Sequence, residues 1–184
     1  MIVQWLLASY GAKTYATWNP SDKGTNITLS NSNKTVVNTT AWWQIVRSTI
    51  WKSSWKWYWE VTANSSVSMI MGIANSSWNL LSYLGSDTNS WGWSEASLKY
   101  YNAISSAYWA SYVSWNVIWI ALDMDTGTIT YYKNNTSQWT AFTGLTGTIY
   151  AAVGSINSSQ TTTNFWSTAL TYSPPAWYNA WLYN

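Results

Sequence analysis

The chain has 184 residues, 47% of them apolar, which suits one domain with its own core. Eight Lys or Arg and six Asp or Glu give a net charge of +2. The basic residues are scattered, so the clustered basic surface that binds nucleic-acid phosphates is not expected. The absence of Cys and His excludes disulfides and a Ser-His-Asp triad and favours a protein that is not an enzyme.

The first fourteen residues are predicted to form an N-terminal strand or attachment segment, followed by one domain over residues 15–184. An apolar stretch at residues 2–7 is interrupted by Gln4 and has no basic residues before it. It is therefore interpreted as a strand rather than a signal peptide. No apolar run approaches the 18 residues of a membrane-spanning helix, so no contact with a membrane is predicted.

Beta-branched and aromatic residues alternate with polar ones along most of the chain, which is typical of sheets. Helical periodicity is absent, so the fold class is all-β. Alternation places Trp57, Trp59, Ile118, Ile120 and Leu122 inside the core. The strands predicted in chain order are 27–30, 35–38, 44–50, 56–62, 67–74, 118–124, 128–133, 148–156 and 161–166.

The segment from Asp123 to Gly127 lies between two of these strands and predicts a hairpin turn. It begins like a calcium loop, but residues 128–133 supply no carboxylate, so no metal site is predicted. The six carboxylates of the chain are dispersed, and no pair has a spacing that suggests a glycosidase. No catalytic residue and no cofactor are expected.

Two polar and aromatic stretches, residues 75–83 and 90–112, are predicted to be long loops held by the sheets. Their aromatic side chains could stack on sugar rings or anchor a protein partner. The same side chains could instead cover the core edge or pack against a neighbouring subunit. The candidate ligand-binding residues are Trp78, Tyr83, Trp93, Tyr100, Tyr101 and Tyr108.

Several motifs in order resemble the SPRY family, in its phage and bacterial variety. They are Ala-Thr-Trp-Asn-Pro-Ser-Asp-Lys at 16–23, Lys-Trp-Tyr-Trp-Glu-Val at 56–61, Ile-Ala-Leu-Asp-Met-Asp-Thr-Gly-Thr at 120–128, Ala-Phe-Thr-Gly-Leu at 141–145 and Pro-Pro-Ala at 174–176. The similarity runs from about Tyr15 to Tyr178. It implies a two-sheet antiparallel β-sandwich of the concanavalin A-like jelly-roll type, SPRY class.

The resemblance implies a function in binding. Related domains are protein-interaction modules in animal cells and parts of fibres and adhesive appendages in phages. The expected function is a non-catalytic module of a phage virion (fibre, spike or decoration protein) for adhesion or assembly. The expected partners are other virion proteins or a host-surface glycan or protein, with the chain as a homo-oligomer in the virion or extracellular space. The alternative is a carbohydrate-binding, lectin-like module of a secreted or surface bacterial protein.

Eight tryptophans stand where the similar family typically has glycine. They are Trp51, Trp55, Trp109, Trp115, Trp119, Trp139, Trp166 and Trp177. Glycine in turns permits a positive φ, which is costly for other residues. Two interpretations stay open. Either the loops have diverged, or these positions are glycine in the natural protein, as when UGA codons that specify glycine are read as tryptophan, or when side chains are assigned from a map alone.

Overall fold

The computed structural model of the chain describes residues 14–65 and 68–180. The predicted N-terminal strand or attachment segment lies outside these residues, apart from Thr14. Strands and their connections make up the described part, and none of it is a helix of the length and apolarity that crossing a membrane requires. The prediction of an all-β fold is confirmed.

Fifteen strands are found in the described residues. In chain order they are β1 Trp18–Lys23, β2 Ile27–Ser30, β3 Thr35–Asn38, β4 Gln44–Lys52, β5 Lys56–Ala63, β6 Met69–Ala74, β7 Ser90–Ser94, β8 Leu98–Tyr101, β9 Ile104–Ala107, β10 Val117–Asp123, β11 Thr128–Lys133, β12 Thr136–Phe142, β13 Ile149–Ser155, β14 Gln160–Asn164 and β15 Asn179–Ala180.

The strands form two sheets packed face to face, as predicted. The first has the order β1-β4-β13-β6-β7-β8-β9, and the second has the order β12-β11-β10-β5-β14-β3-β2. All neighbours along both orders are antiparallel, while β15 adds a short parallel pairing to β5. Ile120 on β10 pairs with Trp59 on β5, so both side chains point to the same face of the second sheet.

The core lies between the sheets and follows the alternation of the strands. Trp59, Ile118, Ile120 and Leu122 are fully buried in it, and Trp57 packs against it half-buried. Their predicted inward orientation is confirmed. The hairpin predicted at 123–127 is also present, because β10 and β11 pair throughout and the Asp123 carboxylate accepts the turn amides of residues 125 and 126.

The opposite face of β5 is buried as well, because the C-terminal segment crosses it. The carboxylate of Glu60 accepts the backbone N–H groups of Thr171 and Tyr172 at 2.9 Å, and the Tyr58 hydroxyl at 2.9 Å. Burial, reinforced by the Glu60 charge, raises the pKa of Tyr58 far above its usual range. Glu60 therefore fixes the segment that closes this side of the sandwich.

A second, smaller core lies on the outer face of the seven-stranded sheet, under residues 75–89. It contains Ile45, Ile70, Trp78 and Leu84. Gly92 makes room for it, since a Cβ there would lie 2.2 Å from an Ile70 methyl carbon. The connection between β6 and β7 can therefore pack directly on the sheet.

One prediction about loops is wrong. Residues 90–112 contain strands β7, β8 and β9 rather than a long loop, and these strands extend the first sheet to its edge. Every residue of β9 is exposed. An edge strand with no buried face shows no apolar alternation, which is why the sequence pattern did not reveal it.

Candidate aromatic binding groove

Three aromatic side chains converge on the outer face of the seven-stranded sheet. Trp43, Tyr83 and Tyr100, together with Ile70, line a cavity of about 230 Å³ that we call the aromatic groove. The Tyr83 ring lies between its neighbours, 6.4 Å from Trp43 and 5.7 Å from Tyr100 between ring centroids, edge-on to both. All three rings are half-buried, so each retains a surface that a ligand can contact.

Separate elements bring these four residues together. Trp43 immediately precedes β4, Ile70 lies on β6 and Tyr100 on β8, while Tyr83 comes from the connection between β6 and β7. The groove therefore has a sheet on one side and a loop on the other. Sites of this kind keep their geometry when strands hold the loop in place.

The two ends of that loop are tied together. Asn75 and Asn89 are joined by a backbone hydrogen bond and by a side-chain amide hydrogen bond, both 2.9 Å long. Near its tip, the Gly85 N–H donates to the Ser90 hydroxyl at 2.6 Å. A loop held in this way loses little conformational freedom when a ligand binds.

An ion pair holds the start of the same loop. Arg47 on β4 donates to both carboxylate oxygens of Asp22, at 2.8 and 2.7 Å, and to the backbone carbonyl of Asn75. The pair is bidentate and largely buried, the geometry in which an Arg–carboxylate interaction is strongest. It positions the loop from beneath, whereas no charged residue lines the aromatic groove.

The structure divides the six candidate residues into three groups. Tyr83 and Tyr100 lie in the groove, and Trp78 is buried in the small core that also includes them. Trp93 and Tyr108 are buried in the main core, with ring centroids 5.6 Å apart, so neither is available to a ligand in this structure. Burial raises the pKa of the Tyr108 hydroxyl far above its usual range, so this group stays protonated.

Tyr101 is on the other face of β8 from Tyr100. It is exposed and stacks on Trp91 at a centroid distance of 5.4 Å. It borders a second cavity of about 240 Å³ with Lys99, Ile104 and Phe142. This cavity lies at the edge hairpin formed by β8 and β9, so it lacks the support on two sides that the aromatic groove has.

Trp43 belongs to the groove but was not among the predicted residues. It lies about forty positions before Tyr83 in the chain, and only the pairing of β4, β13, β6, β7 and β8 brings it there. The one signal in the sequence is the aromatic pair at 42–43 just before a predicted strand.

Three carboxylates of the described residues have partners that hold the fold together. Asp22 pairs with Arg47, Glu60 binds the C-terminal segment and Asp123 pairs with Lys56. Burial alone would raise the pKa of Asp123, but the hydrogen bond from Lys56 and those of the turn lower it below its ordinary value. Within residues 14–65 and 68–180, no group of three or more metal-binding side chains occurs.

Comparison with known families decides the classification of the fold. The SPRY domain model matches residues 56–168, more than half of the chain. The chain belongs to the SPRY family. Membership indicates a protein-binding module, a class that is typically non-catalytic. The phage or bacterial variety suggested by the sequence stays a prediction.

Solved structures show the same fold at low sequence identity. The SPRY domain of human HERC1 has a TM-score of 0.73 and 14% identity, over 83% of this chain and 99% of that one. The TRIM65 PSpry domain has a TM-score of 0.68 and 20% identity, over 82% and 92%. Stonustoxin has a TM-score of 0.67 and 21% identity, over 82% of this chain but 27% of its own. A search of curated proteins found no significant match.

Proposed function

We propose that this chain is a binding module that holds an apolar segment of a protein partner in the aromatic groove. The observation that carries this proposal is the convergence of Trp43, Tyr83 and Tyr100 on a braced, uncharged concavity. Aromatic side chains are enriched among the residues that dominate binding energy at protein interfaces. The groove is far smaller than a standard protein interface, so one copy binds weakly.

Because one copy binds weakly, we expect the protein to present several copies of the groove together. Linked modules gain roughly 10²–10⁴-fold in avidity without any new contact. We therefore propose a homo-oligomeric or arrayed protein of a phage virion, in a fibre, spike or decoration protein. Its role would be adhesion to a host surface or assembly with other virion proteins. The motifs of phage and bacterial type and the low-charge surface, rich in Asn, Ser and Thr, support this setting.

A lectin-like function is the second candidate, and one observation favours it. Half-exposed tyrosine and tryptophan rings beside an open cavity can stack on the apolar face of a sugar ring. In this case the chain would be a carbohydrate-binding module of a secreted or surface bacterial protein. Both candidates use the same groove, so the chemistry of the partner distinguishes them.

The test compares attachment of the whole chain and of two variants to host cells. Tyr83→Ala combined with Tyr100→Ala removes two groove rings. Tyr101→Ala is the matched control, because it truncates the neighbouring residue on the other face of β8. Loss of one dominant aromatic contact costs about 2 kcal/mol, or roughly thirtyfold in Kd.

The expected result is weak attachment by the double variant and normal attachment by the control. Equal attachment of all three proteins would refute the role of the groove. Protease treatment of the cells abolishes attachment if the partner is a protein. Periodate treatment abolishes it if the partner is a glycan.

A further inference from the structure

Six tryptophans adopt a backbone conformation that L-residues rarely adopt. Their φ values are 71° at Trp55, 32° at Trp109, 69° at Trp115, 64° at Trp139, 70° at Trp166 and 72° at Trp177. The other non-glycine residues with positive φ in the described chain are all Asn, Ser or Ala. None of the described tyrosines is among them, although tyrosine is also abundant. The left-handed region is therefore occupied by small residues, by Asn and by tryptophan.

Two of the six occupy a turn position that ordinarily requires glycine. Trp115 is the third residue of a four-residue turn closed by the Asn116 N–H and the Val113 carbonyl at 3.1 Å. Trp177 has the same place in a turn closed by the Tyr178 N–H and the Pro175 carbonyl at 3.2 Å. A positive φ at the third position defines the type II turn, where glycine is the usual residue.

Trp139 lies at an irregularity of β12. Thr140 pairs with Thr130 and Ser137 with Tyr132, so two residues of β12 oppose one residue of β11. This is a β-bulge, and one common kind of bulge is built on a left-handed glycine.

Hydrogen bonds to both backbone polar groups of Trp55 hold it in its conformation. Its N–H donates to the Asp125 carboxylate at 2.8 Å, and its carbonyl accepts the Met124 N–H at 2.9 Å. Relaxing φ toward negative values would break these bonds between the β4–β5 connection and the neighbouring hairpin. The fold therefore requires the left-handed conformation at this position.

Apart from Trp166, which packs against the main core, the indoles at these positions contribute little to it. Five of the six are exposed, from 63% at Trp55 to 88% at Trp177. Trp109 and Trp139 contact each other, with centroids 6.1 Å apart, but both face solvent. Trp166 is half-buried beside Tyr58, so at that position the backbone angle alone indicates glycine.

The buried tryptophans behave differently. Trp18, Trp59 and Trp93 are fully buried, and none has a positive φ. The resemblance implied glycine at Trp51 and Trp119 as well, but their φ values are not positive. Trp119 is buried and stacks on Tyr132 at 3.5 Å. The backbone therefore separates six positions from the rest.

We infer that the natural protein carries glycine at the six positions, because its gene encodes them with UGA codons that its own translation system reads as glycine. This accounts for the residue type, the left-handed backbone and the exposed indoles together. None of the six lines the aromatic groove, so the proposed binding surface is the same in either case.

Peptide mass spectrometry of the protein isolated from its natural source tests this directly. Trypsin cleaves after Lys52, Lys56, Lys99 and Lys133. Peptide 53–56 contains Trp55, peptide 100–133 contains Trp109 and Trp115, and peptide 134–184 contains the other three. Peptide 57–99 is the internal control, because it contains five tryptophans and none with positive φ.

Fragment-ion sequencing is expected to show glycine at the six positions and tryptophan at all five control positions. The codons should be UGA at the six and UGG at the five. Tryptophan masses throughout, or UGG codons at the six positions, would overturn the inference. Glycine at the tryptophan positions of the control peptide would also overturn the inference. In that case a positive φ would not distinguish the glycine positions from the others.

Discussion

Replacement of the five exposed left-handed tryptophans by glycine is expected to stabilise the protein. The positions are Trp55, Trp109, Trp115, Trp139 and Trp177. A left-handed L-residue costs about 1–2 kcal/mol. Glycine itself destabilises the fold by about 0.5–1 kcal/mol, because it loses more conformational entropy on folding. The net gain is therefore about 0.5–1 kcal/mol per site.

Summed over five sites, the free energy of unfolding should rise by about 3–5 kcal/mol, if the sites act independently. Trp109 and Trp139 touch, so their pair is the exception to independence. For a domain of this length each kcal/mol raises Tm by roughly 2–4 °C, so a rise of roughly 10 °C is expected. Urea unfolding, followed by circular dichroism with m unchanged, measures the same gain.

Two matched variants separate backbone strain from the loss of an exposed ring. Trp115→Ala removes the indole but keeps a Cβ in the left-handed region, so it should gain much less than Trp115→Gly. Trp42→Gly removes an indole that is 79% exposed at a residue without positive φ, so it should lose stability slightly. Equal increases in the free energy of unfolding for Trp115→Ala and Trp115→Gly would contradict this. They would show that removal of the exposed ring, not relief of the positive φ, stabilises the protein.

Three further predictions concern the core and its polar anchors. Glu60→Ala leaves the amides of the C-terminal segment unpaired and should cost about 3 kcal/mol in urea unfolding, with faster amide exchange at Thr171. Because the pKa of Asp123 is lowered in the folded state, its ionisation stabilises the fold above the unfolded pKa near 4, and this stability is lost as pH falls through the folded pKa. Asp123→Asn should flatten the acid limb of a stability–pH curve, and an unchanged limb would contradict this. Trp93→Ala should cost about 3–5 kcal/mol by leaving a cavity against buried rings, and a loss below 1 kcal/mol would contradict its placement in the core.

Most strands with at least one buried face could be predicted from the sequence. The strands at 27–30, 35–38 and 128–133 have the predicted bounds, and β4, β5, β6, β10, β13 and β14 differ by one or two residues. In eight of these nine strands apolar side chains alternate or follow one another, so burial leaves a pattern in the sequence. In β14 the three Thr residues, which favour strands, mark the element instead. Strands β1, β7, β8, β9, β12 and β15 were not predicted. β9 is exposed along its whole length and β12 is mostly polar, so neither has a clear apolar pattern. Trp91 and Trp93 do alternate in β7, but residues 90–112 were assigned to a loop.

The residues of the candidate site could be predicted only in part, because their positions also depend on strand pairing. The aromatic residues of 75–112 could be identified, but which face each occupies depends on the register of β7 and β8. Tyr100 and Tyr101 are neighbours on opposite faces, and Trp93 faces the core. Trp43 joins the groove only through long-range pairing. Positive φ values occur at Trp115, Trp139 and Trp177, three of the positions where the resemblance implied glycine.

The most direct test of the aromatic groove as a binding surface is site-specific photo-crosslinking in the intact assembly that contains the protein. A photoreactive phenylalanine analogue replaces Tyr100 in one preparation and Tyr101 in another. These residues are adjacent on β8 but lie on its two faces, so the two preparations differ in the face that carries the reactive group. Strong crosslinks to a second molecule from position 100 and few from position 101 are expected. Crosslinks from position 101 with none from position 100 would contradict the aromatic groove as the binding surface.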